Sequence, residues 1–166
     1  LLAQRDQSRL ELRRKLLRHA HAARAGEEAD VDADADAAHA AAAAAEIETL
    51  LDWLAANGFL SDARFAESRV HARQARFGTL RIQNELGRHA VALPPELAHT
   101  LAETERARAS AVRARRFPAL PVDAAERAAQ SRFLLGRGFA PALVRRLMRD
   151  LGRAAADGES ATGEAV

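Results

Sequence analysis

Apolar residues recur along this chain at helical spacing. Leu12 and Leu16 stand four apart behind Ser8, an N-cap whose capping-box partner is Glu11 three residues on. Ile47, Leu50, Leu51 and Leu54 follow at i, i+3, i+4 and i+7, and Gly58 supplies the stop after them. Ser61 or Asp62 caps the next helix, which turns Phe65, Ala66 and Val70 inward and runs to Gly78. Thr79 is placed as the cap of a short helix carrying Ile82 and Leu86, and Pro94–Pro95 opens another with Leu97 and Leu101. An arginine-rich helix leads to Phe117–Pro118. Asp123 caps a helix with Phe133 and Leu134 that Gly138 breaks, and Pro141 starts a last one. There Leu143, Val144, Leu147, Met148 and Leu151 form one stripe, with Arg145, Arg146 and Arg149 around the rest.

These helices overlay on one another as repeats. An offset of 70 carries Leu12 to Ile82 and Leu16 to Leu86, and an offset of 48 carries Leu86 to Leu134 and Val91 to Phe139. The spacing Arg73-x-x-Arg76-Phe77 returns 40 residues later as Arg113-x-x-Arg116-Phe117. The pattern predicts an all-α protein of three tandem three-helix units. The first covers residues 1–60, with its leading helix cut short and a low-complexity Ala/Asp insertion at 22–45. The second covers 61–103, the third 104–152, and a disordered tail 153–166. Units too small to bury a core alone must stack, which predicts an elongated, curved body.

Composition agrees with the helices. Valine, isoleucine and threonine are sparse and tyrosine is absent, whereas alanine, leucine, arginine and glutamate dominate. The 166 residues contain no cysteine, which removes disulfides, thiolate metal sites and cysteine nucleophiles. No apolar run is long enough to span a membrane and no secretory signal opens the chain, so a cytoplasmic protein is expected. Leu1 in place of a start methionine predicts a fragment or a clipped chain.

Charge changes the picture more. The formal net charge is +2, but residues 26–48 hold eight anions and no cation, while residues 106–153 hold twelve arginines against three acids. The guanidinium fork suits carboxylate and phosphate. The candidate partner-binding residues are therefore Arg73, Arg76, Arg81 and Arg88 in the middle unit, with Arg113, Arg115, Arg116, Arg145, Arg146 and Arg149 in the last. A solvated arginine-rich face is the competing explanation for the same residues.

Catalytic patterns are missing. No Gly-x-Ser-x-Gly elbow or phosphate-binding Gly-x-x-x-x-Gly-Lys loop occurs, and the one lysine, Lys15, sits mid-helix. Asp30, Asp32, Asp34 and Asp36 mimic a calcium loop, but Ala35 stands where a glycine must turn and Ala41 where a glutamate must close the shell. His19-x-His21 lacks further ligands, so no metal and no cofactor are expected. The six phenylalanines fall mostly at core-like positions, so any contact with nucleic acid is expected at the phosphate backbone only.

Several segments, taken in order, resemble the RecX family, bacterial regulators of the RecA recombinase. They are Ser8-Arg9-x-Glu11-Leu12-Arg13-Arg14-Lys15-Leu16, Ile47-Glu48-x-Leu50-Leu51-x-x-Leu54, and Gly58-Phe59-Leu60-Ser61-Asp62-x-Arg64-Phe65-Ala66. Gly78-x-x-Arg81-Ile82-x-x-Glu85-Leu86 and Arg132-Phe133-Leu134-x-x-Arg137-Gly138-Phe139 complete the match over about residues 1–152. Thr79 departs from a common proline, Ala90 from a usual glycine, and the acidic insertion is unusual. The resemblance implies a non-enzymatic protein, acting as a monomer, that lodges in the groove of the RecA–DNA filament. It would limit filament growth or promote filament disassembly, and so restrain strand exchange, ATP hydrolysis, the SOS-linked co-protease activity, recombination and DNA repair. The alternatives are a basic helical module that binds single- or double-stranded DNA by itself, and a scaffold whose charge only confers solubility.

Overall fold

The computed structural model describes residues 5–25 and 33–162, with side chains described for 5–23 and 37–154. Within them the chain is all helical: α1 (Arg9–Ala25), α2 (Ala33–Ala56), α3 (Asp62–Arg73), α4 (Thr79–Gly87), α5 (Pro95–Arg116), α6 (Ala124–Gly136) and α7 (Pro141–Thr162). No strand occurs among the described residues. The would-be calcium loop around Asp30 lies outside the described side chains.

Two elements differ from the sequence expectation. The helix opened by Pro95 and the arginine-rich helix before Phe117 are one, because residues 95–116 contain no glycine and no second proline to end it; α5 runs through the 103/104 boundary. Residues 153–162, expected to be disordered, continue α7.

The helices gather into two compact units, one of Leu1–Ser68 with Arg88–Val91, the other of Arg69–Gly87 with Ala92–Val166. In the first, Leu12 of α1 and Leu51 of α2 pack with Leu60, and Leu16, Ile47 and Leu54 close around them. Leu50, grouped with this stripe by spacing, faces outward and is 43% exposed. Ser8 caps α1, accepting from the Glu11 N–H at 3.1 Å. The choice between Ser61 and Asp62 resolves into two roles. Ser61 caps α3 by accepting from the Arg64 N–H at 3.2 Å, while the Asp62 carboxylate accepts from the Arg9 N–H at 2.9 Å at the start of α1. Across α1 and α2, Glu48 accepts from Arg9 at 2.7 Å and from Arg13, and these two guanidiniums hold its carboxyl below the usual carboxylate range.

Both α2 and α6 end in the same motif. At α2, the Phe59 N–H donates to Leu54 C=O and the Gly58 N–H to Ala55 C=O; at α6, Phe139 donates to Leu134 and Gly138 to Leu135. Each needs a left-handed residue, and Gly58 (φ 74°) and Gly138 (φ 82°) supply it. Ala90 takes the same region (φ 56°) with a Cβ that the conformation disfavours. Ala90→Gly is expected to raise stability by about 1 kcal/mol, seen as a melting temperature about 2–4 °C higher by circular dichroism.

In the second unit the core is Ala109 and Val112 of α5, Leu134 of α6, Phe139, and Val144, Leu147 and Met148 of α7. The α7 stripe read from the sequence is thus the face that packs. Burial at this level contributes about 1.5–3 kcal/mol for each large side chain. Ile82, Leu86 and Leu101 are buried in the same unit.

Candidate functional site

The site is built where two turns of the second unit cross. The turn between α3 and α4 donates the Gly78 N–H to Arg137 C=O at 3.0 Å and the Leu80 N–H to Gly138 C=O at 3.2 Å. Arg81 adds its guanidinium to Gly136 C=O at 3.3 Å. Such an approach needs glycine on both sides. A Cβ on Gly78 would lie 2.2 Å from the Gly138 carbonyl oxygen, and one on Gly138 would lie 2.4 Å from the Arg81 Cβ.

The α3–α4 turn is fixed from behind by α5. Thr79 was expected to cap α4 but lies within its first turn. Its N–H donates instead to the Glu105 carboxylate at 2.9 Å, an anion at a helix N-terminus. Arg108, one turn along α5, donates to Phe77 C=O at 2.9 Å, Gln74 C=O at 3.2 Å and Leu101 C=O at 2.8 Å. Burial lowers its affinity for the proton, against the pull of Glu105. These two side chains absorb the polar groups that the turn leaves over, so Phe77 is held rather than loose.

Four guanidiniums gather on the Phe77 ring. Their central carbons lie 4.4 Å (Arg81), 5.5 Å (Arg137), 5.8 Å (Arg76) and 6.0 Å (Arg73) from its centroid. Arg137 also covers Phe133 at 5.1 Å, Phe133 meets Phe117 edge-on at 5.4 Å, and Arg116 lies over Phe117 at 5.4 Å. The result is a continuous run of arginine and phenylalanine from the end of α3 through α6 to the end of α5. Each cation–π contact contributes about 0.5–1 kcal/mol at an exposed site.

Arg73 shares Glu85 with Arg69, and the carboxylate accepts from both guanidiniums at 3.1–3.3 Å. Arg76, Arg81, Arg116 and Arg137 have no carboxylate partner among the described residues. Like charges held this close repel one another, and an anion seated between them removes that cost. Phosphate or carboxylate groups in series are the chemistry this run accepts.

The other candidates from the sequence fall elsewhere. Arg113 is 5% exposed. It donates to Gln130 Oε1 at 2.9 Å and to Ala119 C=O, and so braces α5 against α6 and the following loop from a buried position. Arg115, Arg145, Arg146 and Arg149 are exposed on α5 and α7, outside the Phe77–Phe117 run. Arg88 is exposed and belongs to the first unit. Arg137, outside the sequence-derived set, joins the run, and the segment Arg137-Gly138-Phe139 is the signal in the sequence that points to it. The placing of phenylalanines in the core is also corrected, since only Phe65 and Phe139 of the six are buried.

Among the described residues no three metal-ligating side chains converge, and no helix is long and apolar enough to cross a membrane. A helical chain that displays an ordered cationic surface is, in class, a binding protein. No family model matches it. It is 41% identical to the regulatory protein RecX of Ralstonia nicotianae over 95% of this chain and 87% of that one. It is also 38% identical to RecX of Ralstonia pickettii, over the same shares. Against RecX of Leptothrix cholodnii it is 42% identical over 89% of this chain and 82% of that one. The chain belongs to the RecX family, which consists of regulatory proteins and not of enzymes.

Proposed function

We propose that this protein binds the RecA recombinase filament and restrains its activity, using the Phe77–Phe117 run as part of its contact surface. The single observation that supports the choice of surface is the set of four guanidiniums around Phe77, of which Arg76, Arg81 and Arg137 lack an acidic partner among the described residues. A nucleoprotein filament offers what such a surface accepts: repeated carboxylates and phosphates on a regular lattice. Weak charged contacts that recur on a lattice sum through multivalency. Arg115, Arg145, Arg146 and Arg149 add cationic surface within the second unit, and Arg88 is a separate candidate on the first. On this reading the protein acts in the cytoplasm as a monomer.

The test is RecA's DNA-dependent ATP hydrolysis at substoichiometric inhibitor. Converting Arg76, Arg81 and Arg137 together to glutamine is expected to raise the half-inhibitory concentration by about tenfold or more at moderate salt. Arg76 and Arg81 are exposed and Arg137 is only partly buried, so helicity by circular dichroism should hold. Unchanged inhibition by a folded triple variant removes this surface from the reading.

A further inference from the structure

The loop that follows α5 borders an open-sided cavity of about 310 Å³ in the second unit. Its walls are mainly apolar: Phe117, Pro118, Ala119 and Leu120 from the loop and Ala129 from α6, with Arg116, Gln130 and Glu126 contributing polar atoms, the Glu126 carboxylate accepting from the Val122 N–H at 3.0 Å. At this volume it is at the small end of ligand pockets, with room for one ring system rather than a long chain. Phe117 is shared. The same ring that forms the cavity wall is the last ring of the arginine–phenylalanine run, edge-on to Phe133.

Gln130 makes this a built site. The residue is only 4% exposed. Its amide oxygen is taken by Arg113 at 2.9 Å, which fixes the orientation of the group. Its NH2 has no partner among the described residues and keeps two donors for a ligand that brings a carbonyl.

We infer that the cavity beside Phe117 receives one unstacked base of a single-stranded nucleic acid whose phosphates lie along the arginine run. The inference rests on the reading of that run as a polyanion surface and names the polyanion. A ligand that continues from Arg137 to Arg116 carries serial negative charge, and the flat ring such a polymer brings with it is a nucleobase. Phe117 offers the ring a stacking face and Gln130 offers its carbonyl two donors. In a duplex the bases are stacked and paired, so duplex DNA presents the same phosphates without filling the cavity.

The test needs no recombinase, so its failure is separate from failure of the filament reading. Fluorescence anisotropy at one fixed salt would compare a 20-nucleotide oligothymidine, the same backbone with every base removed, and a 20-base-pair duplex. The intact chain is expected to bind oligothymidine about tenfold more tightly than the abasic strand. Ala129→Leu fills the cavity and is expected to bring oligothymidine to the abasic value while leaving abasic binding and helicity unchanged. Phe117→Leu, a milder change, is expected to narrow the same gap. Equal affinity of the intact chain for oligothymidine and abasic strand overturns the inference. So does a gap that survives both substitutions, or duplex binding as tight as oligothymidine. Displacement of oligothymidine by a peptide of alternating glutamate and phenylalanine, at lower concentration than by unlabelled oligothymidine, would assign the cavity to a protein partner and overturn it equally.

Discussion

Alanine at position 78 is expected to destabilise the second unit by about 3 kcal/mol or more, a class of loss that single substitutions reach only through named mechanisms such as backbone displacement. The cause is a backbone-to-backbone approach, not a side-chain fit. The added Cβ would meet the Gly138 carbonyl oxygen at 2.2 Å and the Phe139 nitrogen at 2.3 Å, and neither is the free end of a flexible chain. The turns must separate, and the Gly78–Arg137 and Leu80–Gly138 hydrogen bonds lengthen with them. The melting temperature should fall by about 6–12 °C. Gly138→Ala should cost a similar amount, since φ 82° strains any Cβ and Arg81 blocks the space. Once one turn has moved, the second methyl meets less resistance. The double variant should therefore lose clearly less than the two single losses added together. Strict additivity would show that the crossing is not the shared origin of both.

That crossing also explains what the chain's pattern reveals and what it hides. Helix existence is a local property: the Leu143–Leu151 stripe, the Ser8 cap and the stops at Gly58 and Gly138 each depend on neighbours within a turn or two, and all are legible by spacing. The site is not local. Phe77 and Arg137 are 60 positions apart, and Glu105 reaches the start of α4 from 26 residues away. No periodicity encodes such pairings. The continuity of α5 is legible too, because no glycine or further proline interrupts residues 96–116. Arginine clusters mislead for a related reason. Spacing treats Arg73-x-x-Arg76-Phe77 and Arg113-x-x-Arg116-Phe117 as equivalents, yet Arg73 is half-exposed beside Glu85 and Arg113 is sealed inside. What separates them is the 117–122 loop folding back over α5, which a count of charges cannot see.

Arg113 therefore carries the second large effect, and it falls on stability instead of binding. Its guanidinium donates to Gln130 Oε1 and to Ala119 C=O, joining α5 to α6 and to the loop after α5. Arg113→Ala removes a charged donor from two acceptors and deletes a long aliphatic stem from a buried position. A loss of about 3 kcal/mol is expected. Arg115→Ala, two residues along the same helix and exposed, should stay within about 0.5 kcal/mol of the parent. Arg113→Met separates the two contributions: it refills the stem volume but leaves both acceptors unmet, so its stability should fall between those of the parent and Arg113→Ala. Urea unfolding of all four proteins reads these differences directly. The same variants divide the surface reading from the internal one. If Arg113 is a brace, Arg113→Met should bind the RecA filament normally at temperatures where it is fully folded. A binding defect without a change in urea midpoint would instead make Arg113 a contact residue, despite its 5% exposure.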